Sequence, residues 1–159
     1  MSDTTTPENS VALDEGDLAA DYIEELLDIA DLDGDLEIEA RNGRVYLTVT
    51  AEGGQLAPLS KQDVVRALQE LTRLAVQSRT GGFSRLILDI GGSRDARQEE
   101  LTALVEGAIA RIEGGAAKAS LPAMSSYERK LVHDLVAERG FVSESHGEGA
   151  DRHTVISRS

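Results

Sequence analysis

Leu36-Glu-Ile-Glu-Ala-Arg-Asn-Gly-Arg-Val-Tyr-Leu-Thr-Val49 decides how the first half of this chain folds. Leu36, Ile38 and Ala40 alternate with Glu37, Glu39 and Arg41, and Val45, Leu47 and Val49 alternate with Tyr46 and Thr48. A period of two belongs to a strand with one face buried. Asn42-Gly43 stands between the two runs. Both central residues of a type I′ turn need positive φ, which Asn and Gly tolerate best, so the stretch predicts a β-hairpin.

Upstream, Leu18, Tyr22, Leu26 and Ile29, with Ile23 and Leu27, fall at helical spacing from Asp17 and stop near Asp31-Leu-Asp-Gly34. Residues 1–16 are polar, acidic and aperiodic, and read as a disordered tail. Downstream, residues 51–60 form an irregular connection with room for one short helical turn. Ser60 is placed to cap a helix through about Ser78, with Asp63 three residues on and Val64, Leu68, Leu71 and Ala75 on its buried side. Gly81-Gly82 breaks the chain, and Arg85-Leu-Ile-Leu-Asp-Ile90 reads as a short buried strand. Residues 17–92 therefore run helix, strand, strand, short helix, helix, strand.

Residues 93–159 start with a long helix from about Asp95 to Glu113, marked by Leu101, Leu104, Val105, Ala108, Ile109 and Ile112. Ala119-Ser-Leu121 is briefly extended and ended by Pro122. Ser125-x-x-Glu128 is a capping box opening a helix to Arg139, with Gly140 at its C-terminal end. Phe141–Ser145 and Arg152–Ser157 read as two strands joined by a glycine-rich turn. The expectation is an α+β chain of two small domains, the second with helices packed on a small three-stranded sheet.

Composition narrows the function. The 159 residues hold no Cys, which excludes disulfides, thiolate metal sites and a Cys nucleophile. Five aromatics and no Trp make base-stacking platforms scarce. No apolar run approaches the ~20 residues of a membrane span, and the N-terminus lacks the basic and apolar regions of a signal peptide, so a cytoplasmic location is expected. The net charge of −13 argues at first against nucleic acid. Residues 1–50, however, carry 14 acids and two bases, a net −12, whereas residues 51–159 carry 15 acids and 14 bases, a net −1. The acidity belongs to the first third.

Arg129 and His133 are four apart and share a helix face. At 100° per residue they lie roughly 90–130° from the centre of the stripe formed by Leu131, Val132, Leu135 and Val136, at the edge of the buried face and open to a ligand. Arg offers a planar fork for phosphate, and His donates to phosphate or stacks on a base. Other constellations carry less. Asp31, Asp33, Asp35 and Glu37 lack the Gly and Glu of an EF-hand loop, whose sixth and twelfth positions fall on Leu36 and Asn42. His146 and His153 lack a ligand spacing that would bring a metal to them with His133. The glycine pairs match no phosphate-binding spacing. No catalytic residue, cofactor or metal is expected.

Pro122-Ala-Met-Ser-Ser-Tyr-Glu-Arg-Lys-Leu-Val-His133, followed by Ser143-Glu-Ser-His-Gly-Glu-Gly-Ala-Asp-Arg-His-Thr-Val-Ile156, resembles the C-terminal domain of the bacterial Jag (SpoIIIJ-associated) proteins. That domain is named for an Arg and a His separated by three residues, matched by Arg129 and His133. The family's Ser-x-Gly-Glu stretch and Arg-led last strand are matched by Ser145-His-Gly-Glu148 and Arg152. The resemblance implies binding of single-stranded RNA, or single-stranded DNA, through Arg129 and His133, aided by Lys130 and Arg152. Family members place a KH domain before this one. Residues 17–92 fit a type II KH order (α-β-β-α-α-β), and Ala67–Gln77 is similar to its second core helix. The Gly-x-x-Gly loop, whose glycines let a phosphate reach the main chain, falls on Leu59-Ser60-Lys61-Gln62 and has neither glycine, which leaves Lys61 as its contact. The Arg-rich opening of the linking helix is diluted to Ser93-Arg-Asp-Ala-Arg97. The resemblance further implies a role linked to cell-envelope growth. The second reading it allows is a protein-interaction adaptor, low in RNA affinity, that pairs with a small KH protein.

Overall fold

The computed structural model describes residues 7–159. The chain is α+β and divides between Asp95 and Ala96 into two compact units. No helix among the described residues is long and apolar enough to cross a membrane.

The first unit runs α1 (Pro7–Ile29), β1 (Asp35–Arg41), β2 (Arg44–Thr50), α2 (Gln62–Thr80) and β3 (Ile87–Ile90). β1 and β2 pair antiparallel through a two-residue turn in which Asn42 and Gly43 both take positive φ, 52° and 71°. β3 returns after α2 to lie parallel to β2, giving the order β1-β2-β3. The hairpin's inner row, Val45, Leu47 and Val49, is buried with Leu88 and Ile90 beneath the apolar faces of α1 and α2.

Four expectations change here. The segment read as a tail is helical from Pro7, while residues 1–6 lie outside the described residues. Ala12 (2% exposed), Gly16, Ala19, Ile23 and Leu27 form one buried stripe at spacings of four, three, four and four. Its first members are too small to register as an apolar period. The short helix expected before α2 is a run of turns, closed by Ala57 N donating to Gly54 O and Ser60 N donating to Leu56 O. Gly53 and Gly54 are left-handed there, and buried Leu56 pins the run to the core. Ser60 bonds back to Ala57 O instead of capping α2, whose N-cap is Lys61. Finally, the buried stripe of α2 is Val65, Leu68, Thr72 and Val76, while Leu71 and Leu74 are 48% and 51% exposed. Thr72 makes this possible: its hydroxyl donates to Leu68 O at 2.6 Å, so its methyl can face the core with no polar group stranded.

The second unit takes up most of α3 (Ser93–Glu113), then β4 (Lys118–Ser120), α4 (Ser126–Glu138), β5 (Phe141–His146), a 3₁₀ turn at Gly149–Asp151 and β6 (His153–Arg158). Its sheet is antiparallel in the order β4-β6-β5. Leu101, Val105, Ala108 and Ile112 of α3 pack with Val132 and Val136 of α4 and Ile156 of β6. The capping box at α4 is complete: Ser125 Oγ accepts from Glu128 N, and the Glu128 carboxylate accepts from Ser125 N. Its other oxygen takes Arg97 Nε at 2.8 Å, tying α3 to the start of α4. Gly140, left-handed at φ 77°, follows the C-cap Arg139 and turns the chain into β5.

Candidate nucleic-acid interface

β5 alternates. Phe141, Ser143 and Ser145 are partly buried, and Val142, Glu144 and His146 are exposed. The inner row faces α4, and there the two serines meet Arg129 and His133. Arg129 Nη1 donates to Ser145 Oγ at 2.8 Å. The His133 ring bonds Ser145 Oγ through Nε2 at 3.1 Å and Ser143 Oγ through Nδ1. Arg can only donate, so Ser145 Oγ accepts from it and keeps its own proton for Nε2. A neutral imidazole carrying its proton on Nδ1, donating to Ser143, satisfies the whole set. Both side chains are therefore half-buried and held by β5 before any ligand is present, where the helix alone placed them open at an edge.

His133 is held below its ordinary value by burial. The charge of Arg129 pushes the same way, Asp134 opposes it, and Lys130 adds to the lowering. An unfolded chain takes up this proton near pH 6.5, the ordinary value, and the folded unit resists it. The stability His133 contributes is thus complete above that pH and is lost as pH falls through it toward the folded value. The resistance of the second unit to denaturant should fall below pH 6.5, and His133→Gln should flatten the dependence. An unchanged pH slope in the variant would rule out His133 as its source.

A depression of about 700 Å³ opens at this place, lined by His133, Ala137, Phe141, Ser143, Ser145 and Arg152 among others. The turn after β5 delivers Arg152, whose Nη1 donates to Gly147 O at 2.9 Å. That turn is tight: Gly147 has φ 85°, and a Cβ there would stand 2.9 Å from Asp151 O. Two buried side-chain atoms have no partner among the described residues, Arg129 Nε and Thr154 Oγ1. Both adjoin Ser145, which Arg129 bonds and which pairs with Thr154 across the ladder.

The expected contacts thus separate. Arg129 and His133 meet at Ser145, and His133 and Arg152 line the depression. Lys130, one residue on from Arg129 and so 100° around the helix, points outward and pairs with Asp134 at 3.0 Å. Lys61 belongs to the first unit. His146 and His153 pair across β5 and β6 with rings 6.4 Å apart, His146 beside Glu144 and His153 on Asp151 O. The residues missed by sequence reasoning are Ser143 and Ser145 as partners of the Arg and His. Their signal was present in the two-residue alternation with Phe141.

Residues 99–158 match the R-three-H domain, the module named for its Arg-x-x-x-His pair. Over a longer stretch the chain is similar to two curated proteins. It is 26% identical over 144 residues to the RNA-binding protein KhpB of Clostridium symbiosum, covering 89% of this chain and 65% of that protein. It is 29% identical over 126 residues to the RNA-binding protein KhpB of Bacillus subtilis (strain 168), covering 77% of this chain and 61% of that protein. The chain spans a little under two thirds of the length of these relatives, and its last third carries the R-three-H match.

Proposed function

We propose that this chain is a non-catalytic single-stranded RNA-binding protein of the Jag type, in which the second unit holds the RNA. The observation that carries the reading is that Ser145 bonds both Arg129 and His133 and lines, together with His133 and Arg152, one depression. Arginine forks suit phosphate oxygens, and a neutral imidazole offers a ring for a base as well as a donor. Lys130 adds a rim charge shared with Asp134. The first unit is read as a KH-like domain with a glycine-less loop, from which Lys61 supplies a charge. The setting that fits is cytoplasmic, in post-transcriptional or cell-envelope-related regulation. Affinity should be modest and salt-sensitive, since the cationic contacts are few. Titration of labelled single-stranded RNA at low salt should show Arg129→Ala/His133→Ala binding at least tenfold more weakly than wild type. Equal binding by the two proteins would remove this site from consideration.

A second reading, an adaptor that pairs with a small KH protein, is favoured by one observation. Leu71 and Leu74 stand out of α2 on its solvent side, next to a stripe already satisfied by Val65, Leu68, Thr72 and Val76. Co-purification that recovers a KH partner without RNA would support it over the first.

A further inference from the structure

The cations of the acidic first third gather at one place. Arg41 and Arg44, the two bases among residues 1–50, flank the hairpin turn. Parallel pairing of Tyr46 with Ile87 sets Arg44 beside Arg85, two residues earlier on each strand, and Arg44 Nη1 donates to Arg85 O at 3.1 Å. Arg73 of α2 reaches the same spot, its Nε donating to Leu86 O at 2.8 Å. Burial lowers the Arg73 pKa, Glu70 opposes this, and the charge of Arg44 lowers it further, so the guanidiniums feel one another. Glu15 lies within electrostatic reach of Arg85, and burial pushes its carboxyl toward the neutral form against the pull of that arginine. Positive charge is thus concentrated at the start of β3 in a chain of net charge −13.

Two residues before Arg85 stands an aromatic ring. Phe83 is 78% exposed, while Tyr22, Tyr46, Tyr127 and Phe141 are all partly buried. Burial alternates over Phe83–Leu86, with Ser84 and Leu86 inside, so Phe83 and Arg85, two residues apart, both stand at the surface. Gln77 holds the segment by accepting from Ser84 N. Cationic side chains and an exposed ring on neighbouring stretches of chain suit a single strand, whose phosphates meet charge while a base stacks. An acidic protein surface would use the charge and leave the ring idle.

We propose that Arg44, Arg73, Arg85 and Phe83 form a second contact for single-stranded RNA on the first unit, with phosphates on the guanidiniums and one base on Phe83. It is separate from the glycine-less loop. That loop lies at the other end of β3, where Ser60 approaches Gly91 and Gln62 Nε2 donates to Ser93 O, roughly 16 Å away at strand rise. The inference rests on the RNA-binding reading above, and the test keeps their failures apart.

Labelled oligouridine is titrated over a salt series with the full chain, Phe83→Ala, Arg44→Gln/Arg85→Gln and Arg129→Ala/His133→Ala, each checked for an unchanged thermal transition. Phe83→Ala should bind at least about fivefold more weakly, the low end of what one lost base–aromatic stack costs. Arg44→Gln/Arg85→Gln should reduce the slope of log K against log salt by about 1.4, at about 0.7 per single-strand phosphate. If the Arg129/His133 variant weakens binding while both first-unit variants match wild type in affinity and slope, the second contact is overturned and the second-unit site stands. If the wild-type chain does not bind, both readings fall together.

Discussion

Gly147→Ala should destabilise the second unit by about 2–4 kcal/mol, as the sum of left-handed backbone strain and overpacking. At φ 85° an L side chain is strained, and its Cβ would lie 2.9 Å from Asp151 O and 3.3 Å from Asp151 C. Those are backbone atoms of the 3₁₀ turn, held by Asp151 N donating to Glu148 O, so they cannot yield cheaply. The displaced turn is also the one that aims Arg152, through its bond to Gly147 O. RNA affinity should therefore fall together with stability. Gly149→Ala is the control: φ is also positive, 56°, with nothing within 4 Å of the added Cβ, so only the strain of about 1–2 kcal/mol applies. Denaturant melts of the two variants decide it, and equal stabilities would show that the contact with Asp151 has no weight.

Gly16→Leu should cost the first unit about 3 kcal/mol or more, beyond the usual overpacking range because even its first carbon has no space. A Cβ at Gly16 would stand 2.5 Å from Ile38 Cγ2 and 3.4 Å from Val45 Cγ1. Replacing a mid-helix glycine ordinarily gains roughly 0.5–1 kcal/mol, so two opposed terms meet here and the clash is the larger. Gly107, inside α3 with open space at its Cβ, shows the other sign: Gly107→Ala should stabilise by about 0.5–1 kcal/mol. In Gly16→Leu the opening turns of α1 should lift from the sheet and become the first sites of limited proteolysis. Resistance equal to wild type would mean that α1 tolerates the larger residue.

What the sequence made legible follows the range of each signal. The hairpin was readable because Asn42-Gly43 and the alternating rows around it are local. The capping box at Ser125 and Glu128 and the strands after Gly140 were readable for the same reason. The start of α1 was not, because Ala12, Gly16 and Ala19 bury themselves by being small, and the close approach of Gly16 to Ile38 and Val45 exists only once the hairpin is in place. Leu68 of the expected α2 stripe is in place and the other three positions are one residue early, since Thr72 counts as polar until its hydroxyl finds the Leu68 carbonyl. At the site, Arg129, His133 and Arg152 could be singled out from motif and spacing. Whether they face solvent or one another depended on β5, and the outward turn of Lys130 toward Asp134 depended on helix phase.

The pair of serines on β5 has an entropic consequence. A free arginine or histidine at a surface samples several rotamers, and immobilising such a side chain on binding costs about 0.5–1.5 kcal/mol. Here Ser145 holds the Arg129 guanidinium, and Ser143 and Ser145 hold both nitrogens of the His133 ring. That ordering is completed when the domain folds, so an arriving ligand meets a preset surface and most of its interaction energy remains as affinity.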